Sequence, residues 1–281
     1  MKKFSIPVLS MFLALGCNKT DENNTSTAVA AQQMFNVSYG ADAEQIMDIY
    51  LPAGRDASTK TIILVHGGGW TGGSKADFAY FIPTLKSDFP DHAIVNINYR
   101  LATLDSPGYP KQIQDIEQVV AHLKSADYNI SDDYAFIGAS AGAHLSMLYA
   151  YNFDTSNDVK AVCSIVGPTD FTDPAYTDNP LFQNGLTYLV GNETWQDSPE
   201  IFIEVSPITH VTAQSPPTIM FYGGLDPLIP ASQSPRLKER LDDFGVYNEW
   251  YLYANGGHGN WDPLTMLDFT TKLTAFLRAK F

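Results

Sequence analysis

The sequence of 281 residues contains only two cysteines, Cys17 and Cys163. Cys163 lies in the apolar run 159–166, where a cysteine is usually a small buried side chain, and no disulfide is predicted. The sequence has no Cys/His spacing typical of a metal site, and we expect neither a metal nor a cofactor. The scarcity of cysteine therefore argues against a disulfide-stapled scaffold and against a structural zinc centre.

Positive charge is also scarce. The chain has 17 Lys and Arg against 31 Asp and Glu, which gives a formal net charge of −14. No long basic run occurs, so we expect no nucleic-acid partner. The apolar stretch at residues 6–15 is far shorter than the roughly 20 residues that span a bilayer, which disfavours a transmembrane helix.

The first residues have the pattern of an export signal. Two lysines precede the apolar stretch, and Gly16-Cys17 forms a small-residue cleavage site. The run 13–17 resembles the lipobox of bacterial lipoproteins, whose cysteine is lipidated; an ordinary cleaved signal peptide is the alternative. We predict a signal peptide over residues 1–16, lipidation at Cys17 and a flexible tether over residues 17–34. The protein is then exported to the periplasm or cell surface, and this anchor is its one expected contact with a membrane.

From residue 35 to residue 281, β-branched runs alternate with amphipathic helical segments. Strands are predicted at residues 35–39, 45–51, 61–65, 93–98, 134–137, 159–166, 217–222 and 247–253, and helices at 78–89, 112–124, 143–151, 232–244 and 263–277. This alternation predicts an α/β domain with a mostly parallel sheet and helices on both faces. Residues 167–216 break the pattern and are predicted to be a small lid-like insertion after the sixth strand.

A Gly-x-Ser-x-Gly pattern, Gly138-Ala139-Ser140-Ala141-Gly142, lies between a predicted strand and a predicted helix. That context predicts a sharp turn that exposes the hydroxyl of Ser140 in a strained conformation. A Gly/Ala-rich helix start that merely packs on the sheet is the alternative. The pattern makes Ser140 the candidate nucleophile.

A serine nucleophile requires a base, and the base requires an acid that orients it. Of the six histidines, His258 stands in a glycine-framed loop directly after the last predicted strand. In a parallel sheet, sites form at the carboxyl ends of strands, which favours His258 as the base. Asp226 follows the strand at 217–222 and is the preferred acid; Asp170, after the preceding strand, is the second candidate.

The loop His66-Gly67-Gly68-Gly69 follows the buried strand at 61–65. Glycines allow backbone N–H groups to approach a reacting oxygen, and Ala141 after the nucleophile supplies another. A phosphate-binding loop is disfavoured because neither G-x-G-x-x-G nor a Gly-Lys-Ser/Thr ending is present. The loop therefore indicates an oxyanion hole.

The motifs stand in the order found in the α/β-hydrolase superfamily, and the chain resembles its HGGGW-type esterases over about residues 35–281. The motifs that carry this resemblance are His66-Gly67-Gly68-Gly69-Trp70, Asn98-Tyr99-Arg100-Leu101, Gly138 to Gly142, Gly224-Leu225-Asp226 and Gly257-His258. The resemblance implies that Gly68, Gly69 and Ala141 donate to the oxyanion. Compact bacterial acetylesterases and feruloyl-esterase-like enzymes are more similar than hormone-sensitive-lipase-like esterases, whose long N-terminal helical cap is not expected here.

These features predict an exported serine carboxylesterase that hydrolyses short-chain or carbohydrate-linked acetyl or feruloyl esters through an acyl-enzyme. Its expected partner is a small ester or an esterified polysaccharide. Two alternatives remain: an arylformamidase-like amidase, because such enzymes share the HGG loop, and a non-catalytic surface binder with a hydrolase fold.

Overall fold

The computed structural model describes residue 1 and residues 29–281. The predicted signal peptide at 1–16, the lipidation at Cys17 and most of the tether at 17–34 therefore lie outside the described residues. Within the described part, no helix has both the length and the apolar character needed to cross a bilayer.

Eight strands form one sheet in the order β1-β2-β4-β3-β5-β6-β7-β8. The strands are β1 Gln32–Ser38, β2 Ile46–Leu51, β3 Thr61–Val65, β4 Ala93–Ile97, β5 Tyr134–Ala139, β6 Val159–Ile165, β7 Thr218–Gly223 and β8 Asn248–Tyr253. The β1–β2 and β2–β4 pairs are antiparallel, and every pair from β4 to β8 is parallel. The predicted mostly parallel sheet is thus confirmed.

Helices cover both faces of this sheet. They are α1 Ile82–Asp88, α2 Lys111–Ser125, α3 Ala141–Leu148, α4 Pro174–Thr177, α5 Pro180–Val190, α6 Pro199–Glu204, α7 Gln233–Asp243 and α8 Pro263–Lys280. In β3, Ile63 and Val65 belong to the hydrophobic layer that also contains α2, α3 and α7, whereas Ile62 and Leu64 belong to the layer with α1 and α8. Because both faces are covered, β3 reads in the sequence as a continuous apolar run.

The first strand begins earlier than predicted. Residues 32–34, which were expected to belong to the tether, pair with β2, with Gln32 opposite Leu51 and Gln33 opposite Tyr50. The side chains of both glutamines are exposed. The edge strand forms through backbone hydrogen bonds, so a polar sequence does not prevent it.

The helix predicted at 78–89 is two elements. A 3₁₀ turn spans Lys75–Phe78, and α1 then begins at Ile82 with Pro83 in its first turn. Proline has no N–H and is tolerated only near a helix start, so one helix cannot run through this position. The helix predicted at 143–151 begins two residues earlier, as α3, and ends in a π turn at Tyr149–Phe153.

The insertion lies between β6 and β7, the sixth and seventh strands. It contains α4, α5, α6 and a 3₁₀ turn at Pro207–His210. The 11-residue α5 was not predicted, because Asn184 and Gly185 at its centre are poor helix formers. The insertion therefore has more regular structure than its sequence indicates.

Candidate active site

Ser140 lies at the junction of β5 and α3. Its φ of 51° and ψ of −118° are unusual for a residue other than glycine, and such a conformation costs on the order of 1–3 kcal/mol. A Cβ on Gly142 would lie 2.1 Å from the carbonyl oxygen of Val65, so only glycine allows α3 to approach β3 this closely. The sharp turn expected at this pattern is present, and α3 begins at the residue after Ser140.

Two hydrogen bonds join Ser140, His258 and Asp226. The Nε2 atom of His258 lies 2.8 Å from the Oγ atom of Ser140, and Nδ1 lies 2.8 Å from Oδ2 of Asp226. A carboxylate can only accept, so Nδ1 carries the proton and the lone pair of Nε2 faces the serine hydroxyl. The structure thus brings His258 against Ser140, 118 positions earlier in the chain, and against Asp226, 32 positions earlier.

The loop after β7 fixes the carboxylate of Asp226. Its Oδ1 atom accepts the N–H groups of Leu228 at 2.8 Å and Ile229 at 3.1 Å. The side chain of Asp226 is 2% exposed, whereas that of His258 is 20% exposed. The buried acid is held rigidly while the imidazole reaches the cavity.

Asp170, the second candidate for the acid, faces a different partner. Its Oδ2 atom accepts from Nε of Arg236 at 2.8 Å, and Oδ1 accepts the N–H of Thr172 at 2.9 Å. The carboxylate is buried in this ion pair. The structure therefore places Asp226, and not Asp170, against His258.

The glycine-rich loop lies directly against the nucleophile. A Cβ on Gly67 would be 3.2 Å from Cβ of Ser140. Gly68 and Gly69 both have left-handed backbone, with φ of 113° and 56°. Among residues 29–281, no hydrogen bond occupies the N–H group of either glycine, and Ala141 is the first residue of α3, where helical amides lack an intrahelical partner. These three residues and Ser140 line one cavity.

A cavity of about 920 Å³ opens onto Ser140 and His258. The insertion contributes an apolar wall to it with Tyr176, Phe182 and Leu186, and the loop after Asp226 contributes Leu228 and Ile229. In the described part of the chain, Asp77 is the one carboxylate that lines the cavity, and neither lysine nor arginine lines it. Sequence reasoning did not single out Leu186, whose only signal is its place among apolar residues of an irregular segment.

Comparison with known proteins gives consistent matches. The family model described as BD-FAE matches residues 47–241. Esterase LipC of Mycobacterium tuberculosis is 31% identical over 241 residues, which cover 79% of this chain and 59% of LipC. Esterase LipQ of the same organism is 29% identical over 250 residues, 83% of this chain and 58% of LipQ. The chain thus spans somewhat less than three fifths of the length of these curated relatives.

The chain is also similar to a solved structure. A truncated form of a carbohydrate esterase from gut microbiota superposes with a TM-score of 0.71 and 25% sequence identity. The match covers 88% of this chain and 98% of that chain. The similarity therefore extends over most of the chain.

Proposed function

The chain belongs to the BD-FAE family, an α/β-hydrolase esterase family, and from this premise we propose that it is a serine carboxylesterase. The observation that carries the proposal is the hydrogen-bonded series from Ser140 through His258 to Asp226, with 2.8 Å at each step. A nucleophile, a base and an orienting acid in this arrangement are the groups that a serine triad uses for acyl transfer.

The reaction begins with attack of the Ser140 Oγ atom on the ester carbonyl carbon. His258 Nε2 takes the serine proton as the new bond forms, and it then gives that proton to the leaving alcohol. Asp226 holds Nδ1–H and stabilises the imidazolium that forms in between. Water, deprotonated by the same imidazole, attacks the acyl-enzyme, and the acid product leaves with Ser140 restored.

Negative charge develops on the carbonyl oxygen in both steps. The amides of Gly68, Gly69 and Ala141 are the groups that we propose to receive it. The left-handed backbone of the loop and the start of α3 at Ala141 support this assignment. Preorganised donors of this kind are each worth about 100- to 1000-fold in turnover.

The proposed substrates are short-chain or carbohydrate-linked esters, with acetyl or feruloyl as the acyl group. The similarity to a carbohydrate esterase supports the carbohydrate part. The cavity volume of about 920 Å³ and its apolar wall support an acyl group larger than acetyl, because pockets of roughly 300–1,000 Å³ hold whole small molecules. In this proposal an aromatic acyl group would lie beside Tyr176 and Phe182, which line the cavity.

Export is a further part of the proposal. It is supported by the basic and apolar pattern of residues 2–15 and by the small-residue site before Cys17. An enzyme held outside the cytoplasm would meet polysaccharide esters that do not enter cells. Mass spectrometry of the mature protein would identify the cleavage site and any lipid on Cys17.

A substrate panel on the purified protein tests the activity. We expect hydrolysis of nitrophenyl acetate, methyl ferulate and acetylated xylan, and loss of all three in Ser140→Ala. Ser146→Ala is the matched control, since it removes a buried hydroxyl from the same helix, α3, that donates only to Gly142. Cleavage of an N-formyl aniline without ester cleavage would indicate an amidase, and failure of a fluorophosphonate to label Ser140 would indicate a non-catalytic protein.

A further inference from the structure

A second histidine lies close to the nucleophile and has no part in the reaction described above. His144 is in α3, and its N–H group donates to the carbonyl of Ser140 at 3.0 Å, one helical turn away. Its side chain is fully buried. A buried imidazole needs a partner for each nitrogen, and both of its nitrogens have one.

The two partners determine the tautomer of His144. The indole Nε1–H of Trp70 donates to Nδ1 at 3.1 Å, so Nδ1 carries no proton. Nε2 lies 2.8 Å from the carbonyl oxygen of Val205 and must be the N–H donor. Protonation of Nδ1 would place two donors against each other, so the neutral ring is the form that fits.

Trp70 ends the glycine-rich loop, and its backbone is strained. Its φ is 64°, so Gly68, Gly69 and Trp70 form three consecutive residues with left-handed backbone. The carbonyl of Trp70 accepts from the N–H of Ala102 and from Nε2 of Gln112, both at 2.8 Å. The hydrogen bond to His144 is the one that the indole N–H of Trp70 makes. It holds the side chain of Trp70, the residue directly after Gly68 and Gly69.

The same imidazole contacts the insertion. Val205 is the residue at the carboxyl end of α6, where carbonyl groups lack intrahelical partners, and His144 satisfies one of them. The ring of Phe171 packs edge-on against both His144 and Trp70, at centroid distances of 5.1 and 6.0 Å. One side chain therefore joins the nucleophile helix, the glycine-rich loop and the insertion.

We propose that His144 is a positioning residue for the oxyanion hole: through the Trp70 indole it holds the amides of Gly68 and Gly69 in the orientation that receives the developing charge. The proposal rests on the proposed function, because it assigns the loop a role in acyl transfer. It makes His144 important for the transition state rather than for substrate binding.

Three variants separate the hydrogen bonds. Trp70→Phe removes the indole donor and keeps an aromatic ring, and His144→Gln keeps a donor for Val205 while it loses the acceptor for Trp70. His144→Asn keeps an acceptor at the position of Nδ1. Trp195→Phe is the matched control, because Trp195 packs on Phe202 within the insertion and away from the loop.

The readouts are kcat and KM on a nitrophenyl ester and the rate at which a fluorophosphonate labels Ser140. We expect Trp70→Phe and His144→Gln to lose about 10- to 100-fold in kcat and in labelling rate, with KM changed less than about threefold, as for a small displacement of catalytic groups. His144→Asn and Trp195→Phe should stay within about threefold of wild type. Near-ultraviolet circular dichroism verifies folding, and Trp70→Phe decides alone if His144→Gln does not fold.

Unchanged kcat and labelling in folded Trp70→Phe would overturn the proposal. Equal losses in His144→Asn and His144→Gln would also overturn it. Only the Asn side chain keeps an acceptor for Trp70, so equal losses would indicate a role in packing alone. Because labelling requires no ester, wild-type protein that is labelled but hydrolyses no ester would refute the proposed function, and the labelling rates of the variants would still decide the role of His144.

Discussion

Acid should destabilise this protein through His144. Burial lowers the pKa of His144 from 6.5 to about 4, because desolvation penalises the charged ring; the hydrogen bond to the Val205 carbonyl raises the pKa but offsets only part of this effect. The unfolded chain therefore binds more protons than the folded protein between these two pH values. The stability that the neutral ring contributes is complete above pH 6.5 and is lost as the pH falls toward 4.

The size of the effect follows from the shift. Each pKa unit corresponds to about 1.4 kcal/mol, so His144 should account for a loss of about 2 kcal/mol in unfolding free energy from pH 7 to pH 5, and about 3 kcal/mol by pH 4. His144→Gln cannot titrate and should not show this part of the loss. Carboxylates common to both proteins contribute equally and cancel in the difference.

Urea unfolding of wild type and His144→Gln at several pH values measures that difference. At pH 7 the variant should be less stable, because it lacks the hydrogen bond to Trp70. The gap should narrow by about 2 kcal/mol at pH 5. If the difference in unfolding free energy between the two proteins stays constant to within about 0.5 kcal/mol over this range, His144 has the same pKa in the folded and unfolded states. The argument from burial would then be wrong.

Three further outcomes are expected. Asp226→Asn should lower kcat about 10⁴-fold, since an amide there favours the wrong imidazole tautomer, whereas Asp170→Asn should lower the unfolding midpoint and leave kcat within about threefold. Gly185 lines the cavity with open space where a Cβ would project, so Gly185→Leu should reduce the kcat/KM ratio of ferulate to acetate esters about tenfold or more. Gly185→Ala, its control, should keep that ratio and raise stability by about 1 kcal/mol. Gly142→Ala should destabilise by about 3 kcal/mol in urea unfolding, because its Cβ would meet the carbonyl of Val65; an unchanged midpoint would contradict the close approach.

The strands of the sheet could be predicted from sequence because burial on both faces leaves a strong pattern. The observed bounds of β3 are the predicted ones, 61–65. Burial also explains the failures. Gln32 and Gln33 are exposed and Met34 is only partly buried, and α5 has Gly185 at its centre, so neither segment has the residue pattern that identifies its element.

The positions of Ser140, Asp226 and His258 could be inferred because each stands in a loop at the carboxyl end of a strand, and the topology of a parallel sheet brings those ends to one edge. The contact between Trp70 and His144 does not follow from the topology of the sheet and could not be predicted in this way. It joins residues 74 positions apart through one side-chain hydrogen bond, and a histidine inside a predicted helix gave no reason to look for a role.

Two histidines contact Ser140 in different ways: His258 through its ring to the hydroxyl, and His144 through its backbone N–H to the carbonyl. His258 has a carboxylate on Nδ1 and is 20% exposed, so a positive charge on the ring would be stabilised by Asp226 and by water. His144 has neutral partners on both nitrogens and is fully buried, so a charged ring would have neither a carboxylate nor water to stabilise it. In the mechanism that we propose, the His258 ring accepts and releases a proton, whereas the His144 ring must remain neutral to keep its two hydrogen bonds. Both residues are histidines, so in this proposal their roles follow from the partner of Nδ1: a carboxylate favours His258 as the base, and an indole N–H favours His144 as a neutral support.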